Sequence, residues 1–541
     1  MLGLADFLDG LVRGAMLVSQ SLALGGVAWR LLILEGRRVP DVAVRRCLLL
    51  VAIGAAGLAG AQVVTLLLKA SVLSDSLGRD ALRDLAGTAL FIAGSARAGL
   101  ALALAGWALR LGRTASRAGG SVLLLVLALS IAVSGAWLTH AAGRLDQRGA
   151  LMTVTVLHQV AAAVWVGGLI QLAAFWRLAR RHAEVDALWP ALVARFSRLA
   201  LLSVLALVLA AGPLGFAYVG SWQGLIGTGY GSLVAIKTFL MGAALFLAVF
   251  NLVVARKPAA AGAHALRARL PGLVEAEVLF AVMILFTAAS LSGQPPAVDV
   301  AGERATWSEV LEVFRPKWPE LRTPSTAAMR AQRADAGADP AAERTREAYR
   351  WSNFSHNVAG LILLGISGLA LVGLASGRGS GRLWPLGFVL LAAFIYLRAA
   401  ANEGTWPFGT TSLFALGAEG IQHRVAGALV LGLGVLEWRA RARRPPAGAL
   451  PYVFPALGAL GGILLLTHSH TAFQPKASFL VQVTHVTMGA LAAVVAAGRW
   501  LELRLTPPAA RVAGATADLA MLGIALILVF YREANVVIAS E

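Results

Sequence analysis

A single cysteine, Cys47, stands in 541 residues, so the chain can form no intrachain disulfide and no cluster of thiolate ligands. Charge is almost as scarce. Only 14% of the residues are Asp, Glu, Lys or Arg, too few to coat the several domains into which a soluble chain of this length would divide. Acidic residues are the scarcest, 28 against 47 basic ones, for a formal net charge of +19. In a soluble protein that excess would suggest nucleic acid. Here the basic residues fall mostly in short connections between apolar runs, where they orient a chain in a bilayer and face anionic lipid. Membrane lipid is therefore an expected partner and nucleic acid is not. No Walker motif or phosphorylation signature occurs, so the chain is not expected to hydrolyse ATP and is read as a non-enzyme.

What is abundant is apolar sequence, 58% of the residues. It comes in runs of about twenty, enough to cross a hydrocarbon core of about 30 Å. Lipid offers backbone groups no partner, so only helices or closed barrels can span. The runs are rich in Leu, Ala and Val without alternating polarity, which predicts an all-α, polytopic transmembrane bundle of about fourteen spans. Ser121–His140 and Gly420–Trp438 are two of them.

Loop charge then orients the bundle. Alternate connections carry Arg37, Arg38, Arg45 and Arg46, then Arg177, Arg180 and Arg181, then Arg439, Arg441, Arg443 and Arg444. The intervening short connections hold far fewer cations, so the first set is read as cytoplasmic and both termini as outside. The N-terminus, with Asp6 and Asp9 and no basic leader, reads as a first span rather than a cleaved signal. One long polar segment interrupts the pattern. The expected organisation is an eight-span half over 1–291, a non-cytoplasmic loop over 292–350 and a six-span half over 351–541. A weak internal repeat is visible: LTH and a following helix with an inner histidine recur at His140/His158 and at His468/His485, and Arg97 has a counterpart in Arg424.

The chemistry is concentrated in histidine. Of nine histidines, His182 and His264 fall in basic cytoplasmic connections and are read as solvated. The other seven, His140, His158, His356, His423, His468, His470 and His485, fall at the outer ends or in the outer halves of spans. Imidazole in a bilayer is costly unless it pairs, lines a cavity or binds metal. Any one of these is as readily a hydrogen-bonded interior histidine; their grouping points to one or two shared metal sites. Imidazole suits copper, zinc, iron and nickel, and thioether sulfur shifts the preference toward Cu(I). Met152 and Met488 accompany His158 and His485, the latter pair at i,i+3 on one helix face, although a methionine in an apolar helix more often packs. Arg97, Lys237 and Arg424 interrupt apolar spans and are candidates for structural pairing, with Glu419 for Arg424, or for gating.

The stretch LHQVAAAVWVGGLIQLAAFW, with RFSRLALLSVLALVLAAGPLGFAYVGSW and YGSLVAIKTFLMGAALFLAVFN after it, resembles the CopD copper-resistance domain, placed over about 121–291. The matching positions are His158, Trp165, Gly167, Gly168, Tyr230, Lys237 and Asn251. WSNFSHNVAGLILL, the region around Gln422-His423-Arg424, and LLTHSHTAF with THVTMGALAAVVAAGRWLELRL resemble the longer, two-part members of the group. Those members open the ninth span with paired histidines, whereas here His356 is followed by Asn357. The resemblance implies copper as the ion handled, a bacterial inner-membrane location and periplasmic copper carriers as partners. The resulting expectation is a copper transport or resistance protein that receives copper through the seven outward histidines. Two other classes stay open: a redox protein with haem held by His158 and either His485 or His423, and a metal-binding scaffold or sensor that moves nothing.

Overall fold

The computed structural model describes residues 2–35, 39–78, 80–113, 120–255, 259–325, 346–376, 383–413, 418–442, 448–467 and 475–533, with positions 327 and 416. The connections bearing Arg37, Arg38, Arg443 and Arg444, most of the Ala-rich stretch after 326, and both His468 and His470 lie outside the described residues. So do the side chains of Asn251, His264 and Glu419.

The chain is all-helical, with no strand among the described residues. Twelve helices there are long and apolar enough to cross a bilayer. The expected fourteen differ from these at two places. The run from Ser121 forms only the 16-residue α5 (Ser121–Ala136), because the chain turns at Trp137 and restarts as the short α6 (His140–Gly143). The other is α15 (Ala418–Ala442), a 25-residue helix whose polar residues near both ends dilute its apolar stretch.

Contacts divide the chain into two compact units. The N-terminal unit comprises Leu8–Ser221 and Met241–Val298. Its core gathers α1 (Leu2–Ala28), α2 (Asp41–Leu77), α4 (Ala89–Arg113), which follows the short α3 (Ala81–Ala86), and α5 around Leu24, Val51, Leu58, Leu104 and Ile131. Lipid gives packed helices no hydrophobic advantage over lipid-facing ones, so close approach of small residues decides their pairing. Where α1 crosses α7 (Arg148–Ala179), a Cβ on Gly25 would stand 2.7 Å from the Gly167 Cα, and a Cβ on Gly167 would overlap the Ser21 carbonyl. On the same helix a Cβ at Gly168 would enter the Phe196 ring of α8 (Ala183–Tyr218). The paired glycines of the Trp165-Val-Gly-Gly run thus serve helix packing. α11 (Ala259–Leu291) completes this unit against α7.

The C-terminal unit comprises Met1–Phe7, Trp222–Leu240 and Asp299–Glu541. The boundary falls within α10 (Gly229–Ala255), whose first half belongs here with the short α9 (Trp222–Ile226). Six helices form its body: α13 (Arg346–Ser376), α14 (Leu386–Glu403), α15, α16 (Val453–Thr467), α17 (Pro475–Arg504) and α18 (Ala509–Val529). Leu363, Ile366, Phe388, Phe454, Met521 and Ala525 fill the core between them. Gly360 lets α13 press onto the end of α18, since a Cβ there would lie 2.7 Å from the Leu528 carbonyl carbon.

The described part of the polar segment before α13, from Asp299 on, belongs to this unit. Its helix α12 (Trp307–Phe314) starts with a capping box: Thr306 Oγ1 accepts from the Glu309 amide, and the Glu309 carboxylate accepts from the Thr306 amide at 2.7 Å. Val310 and Val313 pack on Phe479, Leu480 and Val483 of α17, and Lys476 pairs with Glu309 at 2.6 Å. Beyond it, the Glu320 amide donates to Asn357 Oδ1 at 2.6 Å, which ties the following segment to α13.

Candidate functional site

Two packing contacts bring two distant histidines together. Gly360 seats α13 on α18 one helical turn from His356. The chain leaving α18 turns back so that Tyr531, 2% exposed, stacks on the His356 ring with centroids 4.2 Å apart. His485, on α17, meets the same pair: its ring lies 5.9 Å from His356 at 88°, and 6.0 Å from Tyr531 at 87°.

Both rings are held the same way. Nδ1 of His356 lies 2.9 Å from the Ser352 carbonyl, and Nδ1 of His485 lies 3.0 Å from the Val481 carbonyl, each four residues earlier on its helix. A carbonyl can only accept, so Nδ1 carries the proton and Nε2 carries the lone pair. Metal-ligating histidines are prepared in this manner, with the second nitrogen donating to a carbonyl and fixing the ring.

The two imidazoles line a cavity of about 660 Å³ within the C-terminal unit. His423, exposed on α15, lines it too, as does the thioether of Met488, one turn along from His485. Asn402, Gln422 and Arg398 complete the polar end. The Arg398 guanidinium lies 3.4 Å from the Trp351 ring centroid and 4.6 Å from that of Phe354, and donates to Ser355 Oγ and Thr323 Oγ1 at 3.1 and 3.0 Å. The rest is apolar, with Leu363, Phe388, Leu433, Phe454, Val495 and Met521 among its walls. Among the described residues no three His, Cys, Asp or Glu side chains converge to hold a metal ion. The donor set is two fixed imidazoles, a third at the rim and a thioether.

Asn357, the residue standing where a second histidine was expected, has a different task. It is fully buried; its amide donates to the Leu528 and Tyr531 carbonyls at 3.1 and 3.0 Å, and its oxygen accepts from Arg532 at 2.6 Å as well as from Glu320. It fixes the turn that presents Tyr531 to His356. Arg532 also donates to the Trp318 carbonyl, and burial lowers its guanidinium from the ordinary arginine value.

The remaining candidates are dispersed. His140, at the start of α6, stands 6.1 Å from the Tyr218 ring; it, His158 and Met152 belong to the N-terminal unit and do not line this cavity. His468 and His470 lie outside the described residues. Arg424 is 3.0 Å from Glu403 on α14 and stacks on Tyr396 at 4.5 Å, so Glu403 is the acid that meets it; the side chain of Glu419, the expected partner, is outside the description. Arg97, 3% exposed, donates to Gln62 at 3.2 Å, to Gln20 and to the Met16 sulfur at 3.5 Å, and no carboxylate pairs with it among the described residues. Lys237 makes no ion pair among them either. Arg97 and Arg424, which the repeat equated, thus have different surroundings: neutral amides for one and an acid for the other. Sequence reasoning passed over Tyr531, Arg398 and Glu403. Arg398 carried a signal, a cation in the last turns of an apolar helix, but Tyr531 follows its helix with nothing to mark it.

Residues 190–291, from Pro190 in α8 to the end of α11, match the family model of Copper resistance protein D (CopD). Tyr230, Lys237 and Asn251 lie inside the match; His158, the Trp165-Val-Gly-Gly run and every segment quoted from the C-terminal half lie outside it. No curated protein and no solved structure matches the chain.

Proposed function

We propose that this chain, a multi-pass membrane protein of the CopD-type copper-resistance family, binds copper through histidines at the non-cytoplasmic face of the bacterial inner membrane and moves it across. The observation that carries the reading is the meeting of His356 and His485, 129 positions apart, with both Nδ1 protons committed to helix carbonyls. Two Nε2 lone pairs and the Met488 thioether are donors that suit Cu(I).

In this reading His423 at the rim, with His468 and His470, receives the ion from a periplasmic copper carrier. His140, His158 and Met152 form a second outward station in the N-terminal unit. The cations Arg97, Lys237 and Arg424, set within spans, act on passage, since a fixed positive charge in a low-dielectric interior opposes a cation nearby. The division into an eight-span half, an outer loop and a six-span half belongs to the same reading, with 121–291 as its CopD-like part.

The test is copper flux into proteoliposomes holding the whole protein, with reduced copper outside. The reading expects flux that falls when His356 and His485 are both replaced by alanine. Copper bound with no flux would make the protein a scaffold or sensor, and an iron-containing Soret band in place of copper would make it a haem protein.

A further inference from the structure

A copper ion is far too small for the space beside His485. The cavity of about 660 Å³ runs from the imidazoles, past Phe388, Leu391 and Leu429, to Leu433, Phe454, Val495 and Met521. Interiors pack densely, and a large cavity with apolar walls is poorly served by water. It calls for an occupant with a small polar head and a long apolar body.

The charges at the polar end narrow the head. Among the described residues Arg398 is the only one with a fixed charge that lines the cavity, and no acid lines it. Its guanidinium is engaged by Ser355, Thr323 and the Trp351 ring. Arg424, the cation beside His423 in sequence, is held by Glu403. The two carboxylates of a haem would find a single cation, and a phosphate diester would have to draw Arg398 away from Ser355, Thr323 and Trp351. The other polar groups at the head end carry no fixed charge: the His356, His423 and His485 imidazoles, the Ser352 and Ser355 hydroxyls and the carboxamides of Asn402 and Gln422, with Gln422 Oε1 buried and without a hydrogen-bond partner among the described residues. Imidazole Nε2 lone pairs and a carboxamide oxygen all accept from hydroxyls.

We propose that this cavity, in the copper-free protein, binds a neutral isoprenoid quinol, with its hydroxyls donating to the acceptors of His356, His485 and Gln422 and its chain along the apolar walls toward Leu433 and Met521. Gly461 makes the proposal testable without touching a polar group. It lines the cavity, and a Cβ built on it meets nothing within 4 Å, so a larger side chain there projects into open space. Gly365 on α13 is equally unobstructed but does not line the cavity.

The experiment titrates the purified, copper-free whole protein with a short-chain benzoquinol bearing a decyl tail, kept reduced, alongside organic extraction and mass spectrometry of whatever co-purifies. The expected result is a co-purifying quinol, and affinity for the probe weakened at least about tenfold by Gly461→Leu but not by Gly365→Leu. Copper binding, measured on the same variants without the probe, should survive Gly461→Leu, so failure of the quinol site and failure of the copper reading are separately visible. Unchanged probe affinity in Gly461→Leu, or extraction of only phospholipid or haem from the cavity, would overturn the proposal.

Discussion

His356 and His485 lie on different helices with their rings 5.9 Å apart and perpendicular, and Tyr531 packs against both. Each ring is anchored through Nδ1 to its own helix, so the pair is preorganised and little conformational freedom remains to be lost on binding.

Replacing either histidine by alanine should weaken Cu(I) affinity at least about tenfold, since even the loss of an outer-shell partner has that effect. The helices should persist, because the removed ring leaves a space beside an existing cavity. A competition titration against a Cu(I) chelator, with circular dichroism as the folding check, measures both. Unaltered affinity in both variants would remove these residues from the site.

Asn357→Ala should destabilise the C-terminal unit by about 1–3 kcal/mol, the cost of leaving buried partners unsatisfied. It strands the Leu528 and Tyr531 carbonyls and the Glu320 amide together. Because Asn357 fixes Tyr531, the variant should also weaken copper binding without removing a ligand. Thermal unfolding in detergent, read beside the copper titration, tests both effects; a normal melting temperature would mean that the clamp contributes nothing.

Arg424 and Glu403 form a pair whose side chains are only 15% and 8% exposed. Removing one member of such a pair costs about 3–5 kcal/mol, while removing both costs much less, because no buried charge is left alone. Arg424→Ala and Glu403→Ala should therefore each lower the melting temperature more than the double substitution does. Additive losses would contradict the pairing.

Glu309 responds to pH from outside the spans. Burial alone would raise its carboxyl, but Lys476 and the hydrogen bonds from Thr306 outweigh that and hold it below the usual value of 4.5. A carboxyl depressed in the folded state stabilises fully above its unfolded value and progressively less as pH falls through the folded one. The packing of α12 on α17 should accordingly hold at neutral pH and loosen only in acid, once the pH has fallen below the usual carboxyl value of 4.5. Hydrogen exchange across Trp307–Phe314 should show this, and Glu309→Gln should exchange faster at neutral pH with no further acid dependence. Equal protection in the variant at neutral pH would sink the idea.

The helices were legible because lipid demands apolar runs that satisfy their own backbone, and the two departures have local causes. The apolar run from Ser121 continues to His140, but the chain turns at Trp137; α15 carries Glu419, Arg424, Glu437, Arg439 and Arg441 in one helix. The histidines were legible as a group, yet not as a site. His158 and His485 look alike in sequence, while only His485 lines the cavity, because partner choice depends on where glycines such as Gly360 permit close approach. That is a property of packed surfaces and leaves little periodic trace in the chain. Asn357 shows the limit from the other side: read against the longer CopD-type pattern it marks a missing ligand, and in the fold it orients the residue that packs on the remaining one.

Copper content and the absorption spectrum of the purified whole protein, before and after Cu(I) loading under reducing conditions, test the central claim most directly. Copper that binds to the unaltered protein, falls sharply in the His356→Ala/His485→Ala double variant and brings no Soret band is the predicted result. Copper content unchanged by the double substitution, or a Soret band with stoichiometric iron, would contradict it.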